Sequence, residues 1–176
     1  MDMVPVAFAQ SMLNLRKTGD TAYAMNANSL IYDSRNTFVA NAIEKGYDRI
    51  LWLDSDMVFS PYLLELLSAD MDEYDDIDMV CGLCFKRRMP TAPVIYRELT
   101  YERSDGKLTV RAVPMQDYPR DLLFRVAGCG FGAVLCKTEL LKKVWDTFGP
   151  PFDPMTQIGE DLACCWRINQ IGGKMY

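Results

Sequence analysis

The sequence predicts an α/β fold in which a mixed sheet carries helices on both of its faces. The stretch Arg49–Leu53 is apolar and lacks period-two alternation, as expected of a strand that is buried on both faces. Residues 77–85 repeat this pattern further along the chain. Segments with apolar residues at helical spacing precede, separate and follow these two strands, which favours helices packed on a sheet.

Composition and charge limit the classes of function. A chain of 176 residues suits a single domain with a real core. It contains no apolar run of about 18 residues and no visible signal peptide, so we expect a cytoplasmic protein without a transmembrane segment. The net charge of −5 argues against broad nucleic-acid binding, which needs a surplus of positive charge.

Histidine is absent from the sequence. Catalytic triads with an imidazole, histidine-ligated zinc and histidine acid–base catalysis are therefore excluded. Any catalytic base is expected to be a carboxylate, and any metal is expected to have oxygen ligands.

The first third of the chain predicts two helices and a short strand. The first helix ends at Gly19-Asp20, and its apolar positions are Val4, Phe8, Met12 and Leu15. Residues 23–26 can form a short strand. Asp33 or Ser34 can cap the second helix, which Gly46 ends.

The middle of the chain adds a helix, the second strand and a hairpin. After Arg49–Leu53, Ser60-Pro61 begins a helix with proline at its first position. Residues 70–78 read as an acidic loop, and the strand of residues 77–85 follows. Residues 94–113 predict a hairpin that turns at residues 104–107.

The last third contains a glycine-rich segment and two helices. Residues 122–127 and 133–136 are predicted as strands on either side of Gly128-Cys129-Gly130-Phe131-Gly132. Thr138 is expected to cap a helix that runs through Trp145. A proline-rich loop over residues 149–154 precedes the last helix, at about residues 160–171.

Asp54-Ser55-Asp56 is the most informative motif, because it places two carboxylates directly after a buried strand. In open α/β sheets, ligands bind at this edge of the sheet. Adjacent anions repel each other, and a divalent cation relieves that repulsion and bridges to phosphate oxygens. The alternative is a polar turn between a strand and a helix.

Glu160-Asp161 opens the last helix, where carboxylates interact favourably with the helix dipole. That structural role explains the pair by itself. A functional role requires one of the two carboxylates to project into the same cleft as Asp54 and Asp56.

Three further features can bind a ligand or serve structure alone. The glycines of residues 128–132 let backbone approach a ligand closely, or they permit a bend between strands. Arg35 at a helix start can meet a phosphate, or it can lie at the surface beside a cap. Lys86-Arg87-Arg88 can face a diphosphate or solvent.

Four motifs in this order resemble the family 2 glycosyltransferases with the GT-A fold. The resemblance covers residues 33–174 and is carried by SRNTFVANAIEKGYDRILWLDSDMVFSPYLLELL, GCGFGAVLCKTELL and GEDLACCWRINQIGGKM. It implies a GT-A-type nucleotide-diphospho-sugar transferase fold, with a mixed, mostly parallel sheet flanked by helices. It also implies that residues 1–176 form one domain, a fragment that lacks the family's first strand and C-terminal segment.

The resemblance further implies an inverting, metal-dependent transfer of a sugar from a nucleotide-diphosphate donor to a carbohydrate or other hydroxyl acceptor. Asp54 and Asp56 would hold Mn²⁺ or Mg²⁺ against the diphosphate. Asp161, with Glu160 as the second choice, would be the catalytic base.

Other positions match the donor side of the family's site. Gly128, Gly130 and Phe131 would shape the donor-sugar and acceptor site, and Arg35 would contact the donor.

Three alternatives stay open at this point. Asp54-Ser55-Asp56-Met57-Val58 also fits the nucleophile motif of haloacid-dehalogenase-type phosphatases, in which Asp54 would be phosphorylated. A nucleotidyltransferase with the same fold would normally show a basic glycine-rich loop after its first strand. The third alternative is a non-catalytic module that binds a carbohydrate, a nucleotide or a nucleotide sugar, against which the presence of all four acidic positions argues.

Overall fold

The computed structural model of the chain describes residues 4–17, 19–26, 29–74, 76–104 and 107–176. Within these residues the fold is α/β, with five helices and six strands. The helices are α1 (Val6–Asn14), α2 (Ile31–Lys45), α3 (Leu63–Glu73), α4 (Thr138–Phe148) and α5 (Glu160–Gln170). The strands are β1 (Arg49–Leu53), β2 (Met79–Cys81), β3 (Ile95–Ser104), β4 (Lys107–Pro114), β5 (Gly128–Cys129) and β6 (Ala133–Lys137).

The first sheet has the order β1-β6-β2, and β6 is antiparallel to both neighbours. The outer strands β1 and β2 therefore run in the same direction, with β6 between them. The end of the chain extends this sheet beside β2, where Met175 forms a parallel bridge with Met79. The backbone N–H of Tyr176 donates to the carbonyl of Met79 at 2.9 Å.

The second sheet has the order β4-β3-β5 and contains the predicted hairpin. Strands β3 and β4 pair from Ser104–Lys107 back to Tyr96–Pro114, which confirms the hairpin. Residues 105 and 106 of the predicted turn lie outside the described residues. Strand β5 pairs with the start of β3 through Cys129 and Gly128, so the glycine-rich segment begins at the edge of this hairpin.

Strand β6 shows how the first sheet is buried on both faces. Val134 and Cys136 belong to a core cluster that also contains residues of α2, α4 and α5. Leu135 belongs to a second cluster with Leu64, Leu67 and Met71 of α3. Because side chains alternate along a strand, these contacts place helices on opposite faces of the sheet. The predicted α/β arrangement with helices on both faces is confirmed.

The direction of the strands differs from the mostly parallel sheet that we predicted. The ladders between the named strands are antiparallel, and the described parallel pairing is the bridge between Met79 and Met175. An apolar run shows that a strand is buried and carries no information on its direction. The hairpin and β5 return the chain to the end of the sheet at which β1 and β2 finish, where Ala133 lies opposite Leu53 and Val134 opposite Cys81. Strand β6 therefore runs in the opposite direction.

Several predicted elements have other forms in the structure. Residues 23–26 are exposed and irregular. Residues 122–127 are also irregular, except for a bridge from Val126 to Met175. The second buried strand shortens to Met79–Cys81. Helix α3 extends to Glu73 and takes in part of the predicted acidic loop.

Helix ends follow the predictions in part. Gly46 ends α2 with a left-handed φ of 71°, which glycine adopts without steric cost. Asp33 lies inside the first turn of α2 instead of capping it, and Leu30 is at the cap position. Thr138 is likewise the first helical residue of α4, after Lys137. None of the described helices has the length and apolar character needed to cross a bilayer.

Candidate functional site

Asp54 and Asp56 lie just beyond the carboxyl end of β1, where the sequence predicts them. The backbone N–H of Asp54 donates to the carbonyl of Gly132 at 3.2 Å, which continues the pairing of β1 with β6. The N–H of Met57 then donates to the carbonyl of Asp54 at 3.0 Å and closes a turn. This turn leaves 40% of the Asp54 side chain and 47% of the Asp56 side chain exposed.

Arg35 connects Asp54 to the acidic pair of α5. One terminal nitrogen of its guanidinium, Nη2, donates to Oδ1 of Asp54 at 3.0 Å. The other, Nη1, donates to Oε1 of Glu160 at 3.3 Å and to Oδ1 of Asp161. The structure therefore brings Asp54, Glu160 and Asp161 together around one guanidinium, and Glu160-Asp161 lies beside the Asp-x-Asp motif.

The burial of Arg35 has a physical basis in these partners and in two aromatic rings. Only 6% of its side chain is exposed. Its guanidinium carbon lies 5.2 Å from the ring centre of Phe131 and 5.5 Å from that of Phe152. Cation–π contacts and carboxylate partners offset the cost of removing this charge from water. Arg35 is thus turned away from solvent, unlike the exposed arginine considered in the sequence.

Asp161 is held on both of its carboxylate oxygens. It occupies the first turn of α5, which begins after Gly159. While Oδ1 accepts from Arg35, Oδ2 accepts a hydrogen bond from the backbone N–H of Phe131 at 3.2 Å. The side chain is still 27% exposed. The carboxylate therefore has a fixed orientation and stays accessible.

The glycine-rich segment serves the site in two ways. Gly128 is buried, and a Cβ there would lie 2.9 Å from Leu99 and 3.3 Å from Cys165, so this glycine allows close packing. A Cβ on Gly130 would lie 2.9 Å from Val94 and 3.9 Å from Oδ2 of Asp161. Of the predicted residues in this segment, Gly130 lies at the carboxylates, whereas the Phe131 ring is buried beneath Arg35.

A small open cleft of about 170 Å³ lies beside Asp161. Glu160, Asp161 and Gly130 form one side, and Val94 and Tyr96 of the hairpin region form another. A larger depression of about 400 Å³ lies between the end of α2 and the start of α4. It contains none of the predicted site residues, whereas Glu160, Asp161 and Gly130 line the smaller cleft. Asp54 and Asp56 line neither, and Asp54 is connected to Glu160 and Asp161 through Arg35.

Asp56 has a different arginine partner from Asp54. The Nη2 atom of Arg87 forms an ion pair with Oδ2 of Asp56 and donates to the backbone carbonyl of Asp56 at 3.0 Å. Arg87 belongs to the basic run of residues 86–88, for which the sequence left a diphosphate or solvent as alternatives. In the structure it contacts the Asp-x-Asp motif itself.

The site carries an excess of negative charge. One guanidinium, that of Arg35, serves three carboxylates. Burial raises the pKa of Asp54 above its ordinary value, and the nearby charges of Asp56 and Glu160 act in the same direction. Arg35 opposes this shift and does not outweigh it. A further cation at this end of β1 would reduce the electrostatic repulsion among these carboxylates.

The donor atoms at the end of β1 suit a hard divalent cation. Asp54 and Asp56 offer carboxylate oxygens, which Mg²⁺ and Mn²⁺ prefer. Throughout the part of the chain that the structure describes, no group of three or more acidic or cysteine side chains is arranged to hold a metal. The two aspartates fit such an ion in chemistry, and a bound phosphate group would have to supply further ligands.

Sequence reasoning missed the residues that support Arg35 from below. Phe152 lies in the proline-rich loop, which we interpreted only as a connection. Asn36 fixes this loop, because its side chain accepts from the N–H of Phe152 and donates to Asp153, both at 2.9 Å. Arg167 donates to the carbonyls of Pro151 and Asp153 at 2.8 Å. The sequence signal that could have indicated this contact is Asn36, directly after Arg35, because its side chain holds the proline-rich loop.

Comparison with known proteins shows a similarity of fold. The chain matches no protein-family model and no curated protein. Its fold is similar to the crystal structure of A197 from STIV, with a TM-score of 0.55 and 22% sequence identity. The similar region covers 85% of this chain and 63% of A197, so this chain spans less than two thirds of that protein's length. At this identity the similarity concerns the fold alone.

Proposed function

We propose that the chain is an inverting, family 2-type glycosyltransferase that moves a sugar from a nucleotide-diphosphate donor to an acceptor hydroxyl. The observation that carries the proposal is the contact of Arg35 with Asp54 on one side and with Glu160 and Asp161 on the other. It unites two acidic motifs that lie more than 100 residues apart in the sequence. We assign the GT-A-type fold with it, and the shared direction of β1 and β2 supports that assignment.

The donor diphosphate is assigned to the end of β1. Asp54 and Asp56 would hold Mn²⁺ or Mg²⁺, which would neutralise the charge that develops on the leaving diphosphate. The excess of carboxylates around Arg35 supports a cation at this place. Gly130 lets the backbone pack closely against Val94 beside Asp161, where the donor sugar is assigned. Gly128 and Phe131 support this wall of the cleft from within.

Asp161 is assigned as the base, with Glu160 as the second candidate. A hydroxyl is a poor nucleophile until a positioned base accepts its proton. The N–H of Phe131 and the guanidinium of Arg35 orient Asp161 from two directions, and both acidic residues line the cleft. The acceptor oxygen forms a bond to the anomeric carbon as the bond from that carbon to the diphosphate oxygen breaks. The proton passes to the carboxylate, and attack opposite the leaving group inverts the anomeric centre.

The acceptor is a carbohydrate or another hydroxyl compound, which enters the cleft between Asp161 and the hairpin region. All six cysteines are free thiols, which supports a reducing compartment such as the cytoplasm. No nucleic acid is invoked, since the net charge of −5 opposes broad binding of a polyanion.

A panel of nucleotide sugars, with and without Mn²⁺, tests this function. We expect slow hydrolysis or transfer with at least one donor, and release of the nucleoside diphosphate only when the metal is present. For variants of Glu160 and Asp161, Glu139→Gln provides a matched control. Glu139 also lies in the first turn of a helix, and it forms a surface ion pair with Lys143. Release of phosphate from sugar phosphates, without turnover of any nucleotide sugar, would instead favour the phosphatase. Donor binding without turnover would favour the non-catalytic module.

A further inference from the structure

The loop of residues 82–93 is tied down at its base and exposed at its tip. The N–H of Gly82 donates to the carbonyl of Ala133 at 2.8 Å, and that of Val94 donates to Cys84 at 2.9 Å. A further bond of 2.8 Å joins Lys86 to Ala92. Residues 86–91 at the tip are all exposed. The loop is therefore anchored beside the first sheet while its tip extends over the turn that carries Asp56.

The tip places Arg87 on two oxygen atoms of Asp56. Its Nη2 contacts the carboxylate and, at 3.0 Å, the backbone carbonyl of the same residue. Carboxylate and carbonyl oxygens are also the atoms that hard divalent cations bind. A guanidinium and a metal ion are both positive and cannot share these oxygens without strong repulsion.

We propose that Arg87 is a resident counter-ion of Asp56 that yields this carboxylate to the metal–diphosphate pair and then contacts the diphosphate itself. This inference rests on the proposed function, and it assigns Arg87 a role in loading the same site. The planar guanidinium offers paired donors that match phosphate oxygens, so the side chain exchanges one anion for another. The diphosphate of the nucleotide sugar therefore gives Arg87 a new anionic partner, whereas the metal ion alone gives it none.

The exposure of the pair makes the exchange feasible. The side chains of Arg87 and Asp56 are 65% and 47% exposed, and ion pairs of this kind contribute little free energy. Arg35 contrasts with it, because only 6% of that side chain is exposed and three carboxylates hold it. Arg35 is therefore a fixed part of the site, and Arg87 is a displaceable one.

The experiment is a titration with Mn²⁺ followed by electron paramagnetic resonance of the free ion, first alone and then with UDP. It compares wild type with Arg87→Gln, Arg88→Gln and Asp56→Asn. Arg88→Gln removes the same charge one residue further along the exposed tip and serves as the control. Because Arg87 is exposed, its replacement is not expected to impair folding.

In the absence of UDP, we expect Arg87→Gln to bind Mn²⁺ about two- to fivefold more tightly than wild type. This ratio of affinities corresponds to the free energy of a weak surface ion pair. Arg88→Gln should match wild type, and Asp56→Asn should weaken binding. With UDP present, the affinity of wild type should rise by a larger factor than that of Arg87→Gln, because only wild type gains the contact to the diphosphate.

Equal Mn²⁺ affinity of wild type, Arg87→Gln and Arg88→Gln would overturn the inference. In Arg87→Gln, Asp56 no longer has its arginine partner. If this variant bound no Mn²⁺ at millimolar concentration, the inference would also be overturned, and the proposed metal site would fail with it. If the two Arg87 effects are present and no nucleotide sugar is turned over, Arg87 keeps its role and only the transferase function fails.

Discussion

Arg35 donates to Oδ1 of Asp161 and thereby joins helix α2 to the first turn of α5. The same guanidinium reaches Asp54 at the end of β1. Asp54, which is proposed to bind the metal of the donor, and Asp161, which is proposed to deprotonate the acceptor, are therefore parts of one hydrogen-bonded cluster. Loss of Arg35 is expected to disturb both motifs.

Replacement of Arg35 by methionine should destabilise the protein by about 3 kcal/mol, since it leaves partly buried carboxylates without their counter-ion. Urea unfolding measures the change. Adding Asp161→Asn should recover part of the loss, because it removes one uncompensated charge. Arg167→Met is the control: Arg167 is also buried, but it donates to the carbonyls of Pro151 and Asp153. Equal recovery in both backgrounds would contradict the cluster.

Gly130→Ala should destabilise the protein by about 1–3 kcal/mol, because the new methyl group would lie 2.9 Å from the stiff side chain of Val94. The double variant with Val94→Ala should regain much of this stability. Gly159 lines the same cleft and has open space around it, so Gly159→Ala should cost at most about 1 kcal/mol, through the poorer N-cap that alanine gives α5. Thermal unfolding of the four proteins compares these effects, and an unaffected Gly130→Ala would refute the close approach.

The thiol of Cys84 should react slowly. Burial, followed by the nearby charges of Cys81 and Asp54, raises its pKa to about 11. Since the thiolate is the nucleophile, alkylation of Cys84 at pH 8 should be about two orders of magnitude slower in the folded protein than in the unfolded chain. The rate should then rise about tenfold per pH unit towards pH 10. Mass spectrometry after iodoacetamide treatment locates the label; equal folded and unfolded rates would disprove the shift.

Local patterns in the sequence were sufficient for the parts of the site that lie on single elements. The apolar run before Asp54 predicted β1 and the exposed turn after it, and Gly159 with its two acidic neighbours predicted the start of α5. Both are determined by neighbouring residues. The bounds of β1 agree with the prediction, but its burial does not: β1 is an edge strand of its sheet, and Trp52 is its one buried residue.

Features that depend on distant residues could not be predicted in the same way. The insertion of β6 between β1 and β2 depends on the path of the intervening hairpin. The carboxylate partners of Arg35 come from two other elements, so its sequence position suggested a phosphate ligand instead. The Phe152 ring beneath Arg35 depends on how Asn36 holds the loop.

Asp161→Asn should reduce sugar transfer by about 10²–10⁴-fold, the usual effect of removing a general base, while UDP affinity in the presence of Mn²⁺ stays within a few-fold of wild type. Steady-state kinetics and calorimetry give the two quantities. Glu160→Gln should have the smaller effect on transfer, because Glu160 makes one long contact of 3.3 Å to Arg35 and lacks the second anchor of Asp161. The reverse order would assign the role to Glu160.

The most direct test of the account is calorimetric titration of UDP with and without Mn²⁺. Asp56→Ala and Asp72→Ala form a matched pair, because each aspartate is an exposed residue that forms an ion pair with an arginine, and Asp72 lies on α3 with Arg49 as its partner. We predict that Mn²⁺ strengthens UDP binding to wild type and to Asp72→Ala, and that Asp56→Ala loses this gain. Equal UDP affinity of wild type with and without Mn²⁺ would contradict the assignment of Asp54 and Asp56 to a metal–diphosphate site.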